Sequence, residues 1–200
     1  MNYNIKDKKS IDVAVSSILN GEIIIYPTDT LYGFGVDATN TNSIYNLNTL
    51  KNRQQPYSII VDSVNMLKKY CLFNEKLEDL INQTLPGPFT LICNKIKNSS
   101  LSSLVTVDLN TIGIRIPNSK FILNVVRNFG KPIITTSVNA NKEKPLNSKN
   151  SILKKYNQFS LFYDDSESKK SLGSTIIDCT KSSYQIVRRG DGIINLWKYI

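Results

Sequence analysis

What most constrains this chain is an apolar run that stops abruptly at a polar loop: residues 23–35 read IIIYPTDTLYGFG. Ile23, Ile24 and Ile25 suit a buried strand, because β-branched side chains pack well on a pleated sheet. Pro27 lacks a backbone donor and ends the ladder, while Gly33 and Gly35 allow tight backbone paths. Between them stand Thr28, Asp29, Thr30 and Tyr32, more polar groups than a turn requires. A strand end closed by hydroxyl-bonded turns is one reading of this stretch and a ligand-binding loop is the other.

The same change of character recurs along the chain, with helical patterns in between. Ser10 is placed to cap a helix carrying Ile11, Val13, Ala14, Val15, Ile18 and Leu19, and Gly21 to end it. After the strand at 22–26 and its loop, Ile44, Leu47 and Leu50 share one face of a helix from about Asn42, which brings Lys51 and Arg53 to its C-terminal end. Further strands are expected at 57–62, 89–93, 111–117 and 132–137, with helices over 63–70, 75–85 and 119–129. Pro-Gly-Pro at 86–88 separates helix from strand. The polar stretch 139–150 reads as a surface loop, followed by a short helix and strands at LFYDD, STIID and YQIVRR. This alternation predicts an α/β fold, and 200 residues without an internal repeat predict a single domain over 1–200.

The charge of +9 and pI near 9.4 favour polyanionic partners such as nucleotides or RNA. No histidine is present, which excludes Ser-His-Asp and Cys-His catalysis and histidine-ligated metals. Cys71, Cys93 and Cys179 are widely spaced and show neither a disulfide framework nor a zinc spacing, so buried reduced thiols are expected. The first ten residues lack an apolar core of the signal-peptide kind, and no segment approaches the roughly 20 apolar residues of a membrane span. A soluble cytoplasmic protein with no membrane partner is the expectation.

Several residues stand out chemically. Arg115 interrupts the apolar run GIRIP, where an unpaired guanidinium would be costly, so it should meet a carboxylate of the core or of a substrate. Arg188, in QIVRRGDG, has the same character, and two strand-end arginines suit a phosphate or carboxylate. Lys51 and Arg53 are able to swing toward one anion or simply complement a helix C-terminus. Hydroxyl clusters at 28–32, 135–139 and 174–175, combined with these cations, would make a pocket for a small zwitterion beside a polyphosphate. Neither GxxxxGK[ST] nor a GxGxxG after the first strand occurs, so any nucleotide is held by other means. No general base is identifiable, and Asp29 is expected to cap its own turn.

YPTDTLYGFG at 26–35, KxR at 51–53, PGPFTLI at 86–92, GIRIP at 113–117, TSVN at 136–139, STIID at 174–178 and VRRG at 187–190 together resemble the YrdC/Sua5 family of threonylcarbamoyl-AMP synthases. The resemblance runs from about Gly21 to Gly190 and looks like the single-domain form. It implies a twisted mixed sheet flanked by helices with a concave active-site face. The implied reaction joins L-threonine, bicarbonate and ATP into threonylcarbamoyl-adenylate and pyrophosphate, for the threonylcarbamoyladenosine modification of transfer RNA. Mg²⁺ would arrive on the ATP phosphates, with no metal ligands from the chain. The resemblance places Thr30, Arg115, Ser137 and Ser174 around threonine, and Lys51, Arg53, Thr111, Asn139, Ser148 and Arg188 on the ATP side. It also implies downstream threonylcarbamoyl-transferase proteins as partners and a possible contact with transfer RNA. Two rivals are a non-catalytic RNA-binding module, suggested by the charge and ten tyrosines, and adenylation linked to carbamoyl phosphate, as in the related domain of hydrogenase maturation proteins.

Overall fold

The computed structural model describes residues 1–165 and 170–199. The chain opens with strand β1 (Asn2–Asn4), helix α1 (Ser10–Leu19), β2 (Ile24–Tyr26) and β3 (Gly33–Gly35). There follow α2 (Thr41–Lys51), β4 (Ser58–Ile60), α3 (Val64–Leu67), α4 (Glu75–Thr84), β5 (Phe89–Asn94) and α5 (Ser103–Thr106). Then come β6 (Thr111–Arg115), α6 (Lys120–Phe129), β7 (Ile133–Ser137), α7 (Lys149–Tyr156), β8 (Ser160–Tyr163), β9 (Thr175–Asp178) and β10 (Gln185–Arg188), with a short 3₁₀ turn at Trp197–Tyr199. The strands form one mixed sheet of ten, in the order β1-β8-β2-β3-β7-β4-β6-β5-β9-β10.

The two-residue period of the strands sorts their side chains onto two faces. Ile25, Phe34, Ile59, Ile134, Leu91, Ile112 and Ile114 point into the larger core, against Ile44 and Leu47 of α2, Leu77, Leu80 and Ile81 of α4, and Ile152 and Tyr156 of α7. The opposite face is divided. Ile24, Tyr26, Ile60, Ile133 and Phe162 lie under α1 and α6, whose Ala14, Ile18, Phe121, Ile122, Val125, Val126 and Phe129 complete a second core. Continuing along the same strands on this face, the residues change from aliphatic to polar: Ile60 to Ser58, and Ile133 to Thr135 and Ser137. These positions are left uncovered by α1 and α6, which sets the place of the functional site.

Close approach fixes two glycines on this face. A Cβ at Gly35 would stand 2.6 Å from the Tyr26 ring, and one at Gly113 would stand 2.5 Å from Ser58 Oγ. Both strands therefore need glycine to let their neighbours' side chains pass.

The α/β reading holds, and several local expectations are corrected. Residues 33–35 of the opening motif form β3, paired with β2 and β7, instead of loop. Ser10 is the first helical residue rather than its cap; Lys9 occupies that position, and the Ser10 hydroxyl donates to the carbonyls of Ile5 and Asp7. β1 and α5 carry little hydrophobic periodicity and are held by their neighbours: β1 pairs with β8, and Ser102 caps α5. The three cysteines, remote in sequence, meet in space, with Cys71 and Cys179 each beside Cys93. The neighbouring Cys93, and then burial, push the Cys71 thiol well up; Cys179 and burial do the same to Cys93, as suits reduced core residues. Among the described residues no helix is long and apolar enough to cross a membrane.

Candidate functional site

A cavity of about 450 Å³ occupies the uncovered half of the divided face. Its floor is built from alternate strand residues: Ser58 of β4, Thr90 and Ile92 of β5, Thr111, Gly113 and Arg115 of β6, and Thr135 and Ser137 of β7. Thr30–Gly33, Arg53, Tyr57, Leu172–Ser174 and Arg188 form the walls. Three arginines and a ring of hydroxyls thus face one space, an arrangement suited to anions.

Arg115 is 7% exposed and ends β6. Its Nη2 donates to Asp29 Oδ1 at 2.9 Å and to Thr30 Oγ1 at 3.2 Å, while its buried Nε has no hydrogen-bond partner. Burial pushes the guanidinium pKa down and the Asp29 carboxylate opposes that push. Asp29 does not cap its own turn, as the sequence suggested. Its second oxygen accepts from Asn118 N at 3.0 Å, and Thr28 serves the turn instead, accepting from Thr30 N at 3.1 Å and donating to the Leu31 carbonyl at 2.8 Å. The proline-punctuated loop after β2 therefore delivers a carboxylate that compensates Arg115 through Nη2, and leaves guanidinium donors, the buried Nε among them, for something else.

At the other wall, Arg188 Nε and Nη2 donate to the Ser174 carbonyl at 3.2 and 2.7 Å, and Nη2 also reaches Ser174 Oγ at 3.1 Å. Asp191 steadies the same loop, accepting from Leu172 N at 2.8 Å and from Ser171 Oγ at 2.5 Å. Gly190 is obligatory, since a Cβ there would lie 2.2 Å from the Gly173 carbonyl oxygen. The VRRGDG segment thus shapes the wall that carries Ser174. Arg188 has no ion-pair partner among the described residues.

Thr30, Arg53, Thr111, Arg115, Ser137, Ser174 and Arg188 all line the cavity, whereas Lys51, Asn139 and Ser148 do not. Lys51 is 1% exposed, and its ammonium donates to Ser137 O (2.7 Å), Asn139 O (2.8 Å) and Asn139 Oδ1 (2.9 Å). These three acceptors match its three protons, so Lys51 fixes the turn leaving β7 instead of swinging with Arg53 toward a common anion. Desolvation, and secondarily Arg53, pull its pKa to about 8. Asn139 is committed to the same turn, accepting from Ser137 Oγ at 2.7 Å. Ser148 caps α7 through Ser151 N at 3.3 Å and faces a neighbouring hollow with Lys144 and Lys170. Arg53 follows the left-handed Asn52 at the end of α2; it lies over the Tyr57 ring, donates to the Pro56 carbonyl at 3.1 Å, and has a buried Nε without a partner. Missed in the sequence were Thr90 and Ser58, each a lone hydroxyl at an alternate position of an otherwise apolar strand.

Fold and site together define an α/β protein with a cavity lined by arginines and hydroxyls on the open half of a mixed sheet. Residues 16–190 match the Sua5/YciO/YrdC family model, described as telomere recombination, and the chain belongs to that family. The threonylcarbamoyl-AMP synthase of Riesia pediculicola is 33% identical over 150 residues, covering 71% of this chain and 78% of that one. A putative threonylcarbamoyl-AMP synthase of Methanocaldococcus jannaschii is 37% identical over 143 residues, 69% of this chain and 65% of the other. Among solved structures, P. abyssi Sua5 complexed with L-threonine superposes with a TM-score of 0.85 at 24% identity, over 95% of this chain and 57% of that one. E. coli YciO gives 0.88 at 19% identity over 100% and 99% of the two chains. At these identities the structural likeness establishes the fold.

Proposed function

We propose that this chain is a threonylcarbamoyl-AMP synthase, a nucleotidyltransferase that makes threonylcarbamoyl-adenylate and pyrophosphate from L-threonine, bicarbonate and ATP. The observation that carries the reading is the buried, unpartnered Nε of Arg115 in a hydroxyl-lined floor, with Arg53 and Arg188 on separate walls of the same cavity. Arg115 offers a carboxylate its remaining donors, beside Thr30, Ser137 and Ser174; Arg53, Thr111 and Arg188 serve the phosphates. Lys51 and Asn139 act by shaping the turn that presents Ser137. The relatives' names point to the same chemistry.

Such a site needs no protein nucleophile. The threonine amine attacks bicarbonate carbon with loss of water, and the resulting carbamate oxygen attacks the α-phosphorus, expelling pyrophosphate. The chain orients the reactants, an effect worth up to roughly 7–11 kcal/mol, and neutralises phosphate charge. Mg²⁺ would arrive on the ATP phosphates, where it would add to the neutralisation of their charge. The charge of +9 favours contact with transfer RNA, and the family reading implies threonylcarbamoyl-transferase proteins downstream.

The test is pyrophosphate release from ATP, expected only when threonine and bicarbonate are both present. No release, with tight transfer RNA binding, would establish the RNA-binding alternative; release supported by carbamoyl phosphate in place of threonine and bicarbonate would establish the other.

A further inference from the structure

Polar side chains line up across the cavity from β6 to β10, from its floor to one wall. Leu91 of β5 pairs with Ile114 of β6, so Thr90 falls opposite Arg115. On its other side Thr90 pairs with Ile176 of β9, and Ile176 pairs with Arg188 of β10. Ser174, two residues before Ile176 and facing the same way, closes onto Thr90 with 2.7 Å between the hydroxyl oxygens. The order along the row is therefore arginine, threonine, serine, arginine.

We infer that the Thr90–Ser174 hydroxyl pair, between Arg115 and Arg188, is the subsite for the small planar oxyanion, bicarbonate, and that Thr90 contacts it. This rests on the activity proposed above. In the product, the carbonyl carbon is bonded to the threonine nitrogen on one side and, through oxygen, to the adenylate phosphorus on the other. If threonine's carboxylate lies at Arg115 and phosphate at Arg188, the one-carbon unit has to lie between them, and Thr90 with Ser174 is what the floor offers there.

The hydrogen bonding supports an anion at this point. The pair holds two hydroxyl protons and one mutual bond, and Arg188 Nη2 already donates to Ser174 Oγ at 3.1 Å. Whichever hydroxyl donates to the other, one O–H remains uncommitted within the pair. Thr90 is 3% exposed, so its hydroxyl is oriented by packing before any ligand arrives. The two arginines are close enough for Arg188 to depress the Arg115 pKa further, a repulsion that an anion between them relieves.

The test varies bicarbonate in carbon-dioxide-depleted buffer while following pyrophosphate release by wild type, Thr90→Val, Thr90→Ala and Thr90→Ser. Loss of a hydrogen bond to a charged ligand predicts that Thr90→Val and Thr90→Ala raise the bicarbonate KM about tenfold or more. Their calorimetric affinities for threonine and for ATP should stay within about twofold of wild type, and Thr90→Ser should keep a near-normal bicarbonate KM. The alanine variant guards against a packing failure in the valine one. An unchanged bicarbonate KM in both, an equal loss of all three substrates, or a Thr90→Ser defect as large as that of Thr90→Val would overturn the subsite alone. A wild-type protein that releases no pyrophosphate would overturn the activity and the subsite together.

Discussion

Arg115 and Asp29 meet at 2.9 Å across 86 residues of sequence, with side chains 9% and 11% exposed, and the pair fixes one side of the cavity. Such a pair adds little net stability, but removing one partner strands a buried charge at a cost of about 3–5 kcal/mol. Asp29→Asn should therefore lower the melting temperature markedly. Saturating threonine should restore more of it than in wild type, because the ligand's carboxylate supplies the missing negative charge. Thermal unfolding with and without threonine checks this, and equal ligand-induced shifts in both proteins would place the threonine carboxylate elsewhere.

Arg115 and Arg53 carry the same group in different settings. Arg115 must offer a planar fork from a dry strand end, a geometry that lysine does not reproduce, whereas Arg53 sits at a helix end over Tyr57, where a point charge serves in part. Arg115→Lys should weaken threonine binding by about 2–5 kcal/mol, and Arg53→Lys should chiefly weaken ATP while retaining more activity. Calorimetric titration of each ligand into each variant decides it; wild-type threonine affinity in Arg115→Lys would refute the assignment.

Lys51 should titrate with a midpoint near 8, against an ordinary value of 10.5. Because its folded pKa is depressed, the native state binds fewer protons than the unfolded state between those values. Its contribution to stability thus rises with pH over that interval, and the penalty of holding the charge is fully present below about pH 8. Locally the sign is opposite: the neutral amine has two protons for three acceptors, so the Ser137–Asn139 turn loses one hydrogen bond. Side-chain carbon NMR of labelled lysines should show one resonance moving near pH 8, together with amide shifts at residues 137–139. A lysine set moving uniformly above pH 10 would contradict this.

Most strands were legible because buried β-branched runs such as IIIY and SIIV satisfy both sequence pattern and packing. β3 was not, since Gly33-Phe34-Gly35 has one apolar side chain, and its strand state comes from pairing on both edges. At the site, Arg115 announced itself as a charge inside an apolar strand, although its partner Asp29 did not. The register of a remote loop decides that contact, and no local pattern encodes it. Lys51 shows the converse: its position suggested a swinging cation, while burial against the turn after β7 made it a structural tie. Thr90 looked like an ordinary strand threonine until the pairing of β5 with β6 and β9 set it between two arginines.

Ser148 offers a clean separation between capping and binding. Its side chain accepts from Ser151 N at the start of α7, and Ser148 and Ser151 exchange a hydroxyl contact at 2.7 Å, so its polar capacity is directed into the helix end and not into the main cavity. Replacing such a cap by alanine typically costs about 1 kcal/mol, while aspartate, also a good cap, retains the acceptor. Ser148→Ala should accordingly lose about that much stability in denaturant unfolding with an unchanged slope, and Ser148→Asp should recover it. Neither variant should alter threonine affinity. If Ser148 touches ATP directly, Ser148→Asp would add a negative charge beside phosphate and weaken ATP binding at least tenfold, by roughly 1.4 kcal/mol or more. If it only caps α7, ATP affinity should stay within about twofold of wild type in both variants. Parallel unfolding curves and ATP titrations on the same preparations distinguish the two, and the geometry of the cap predicts the second result.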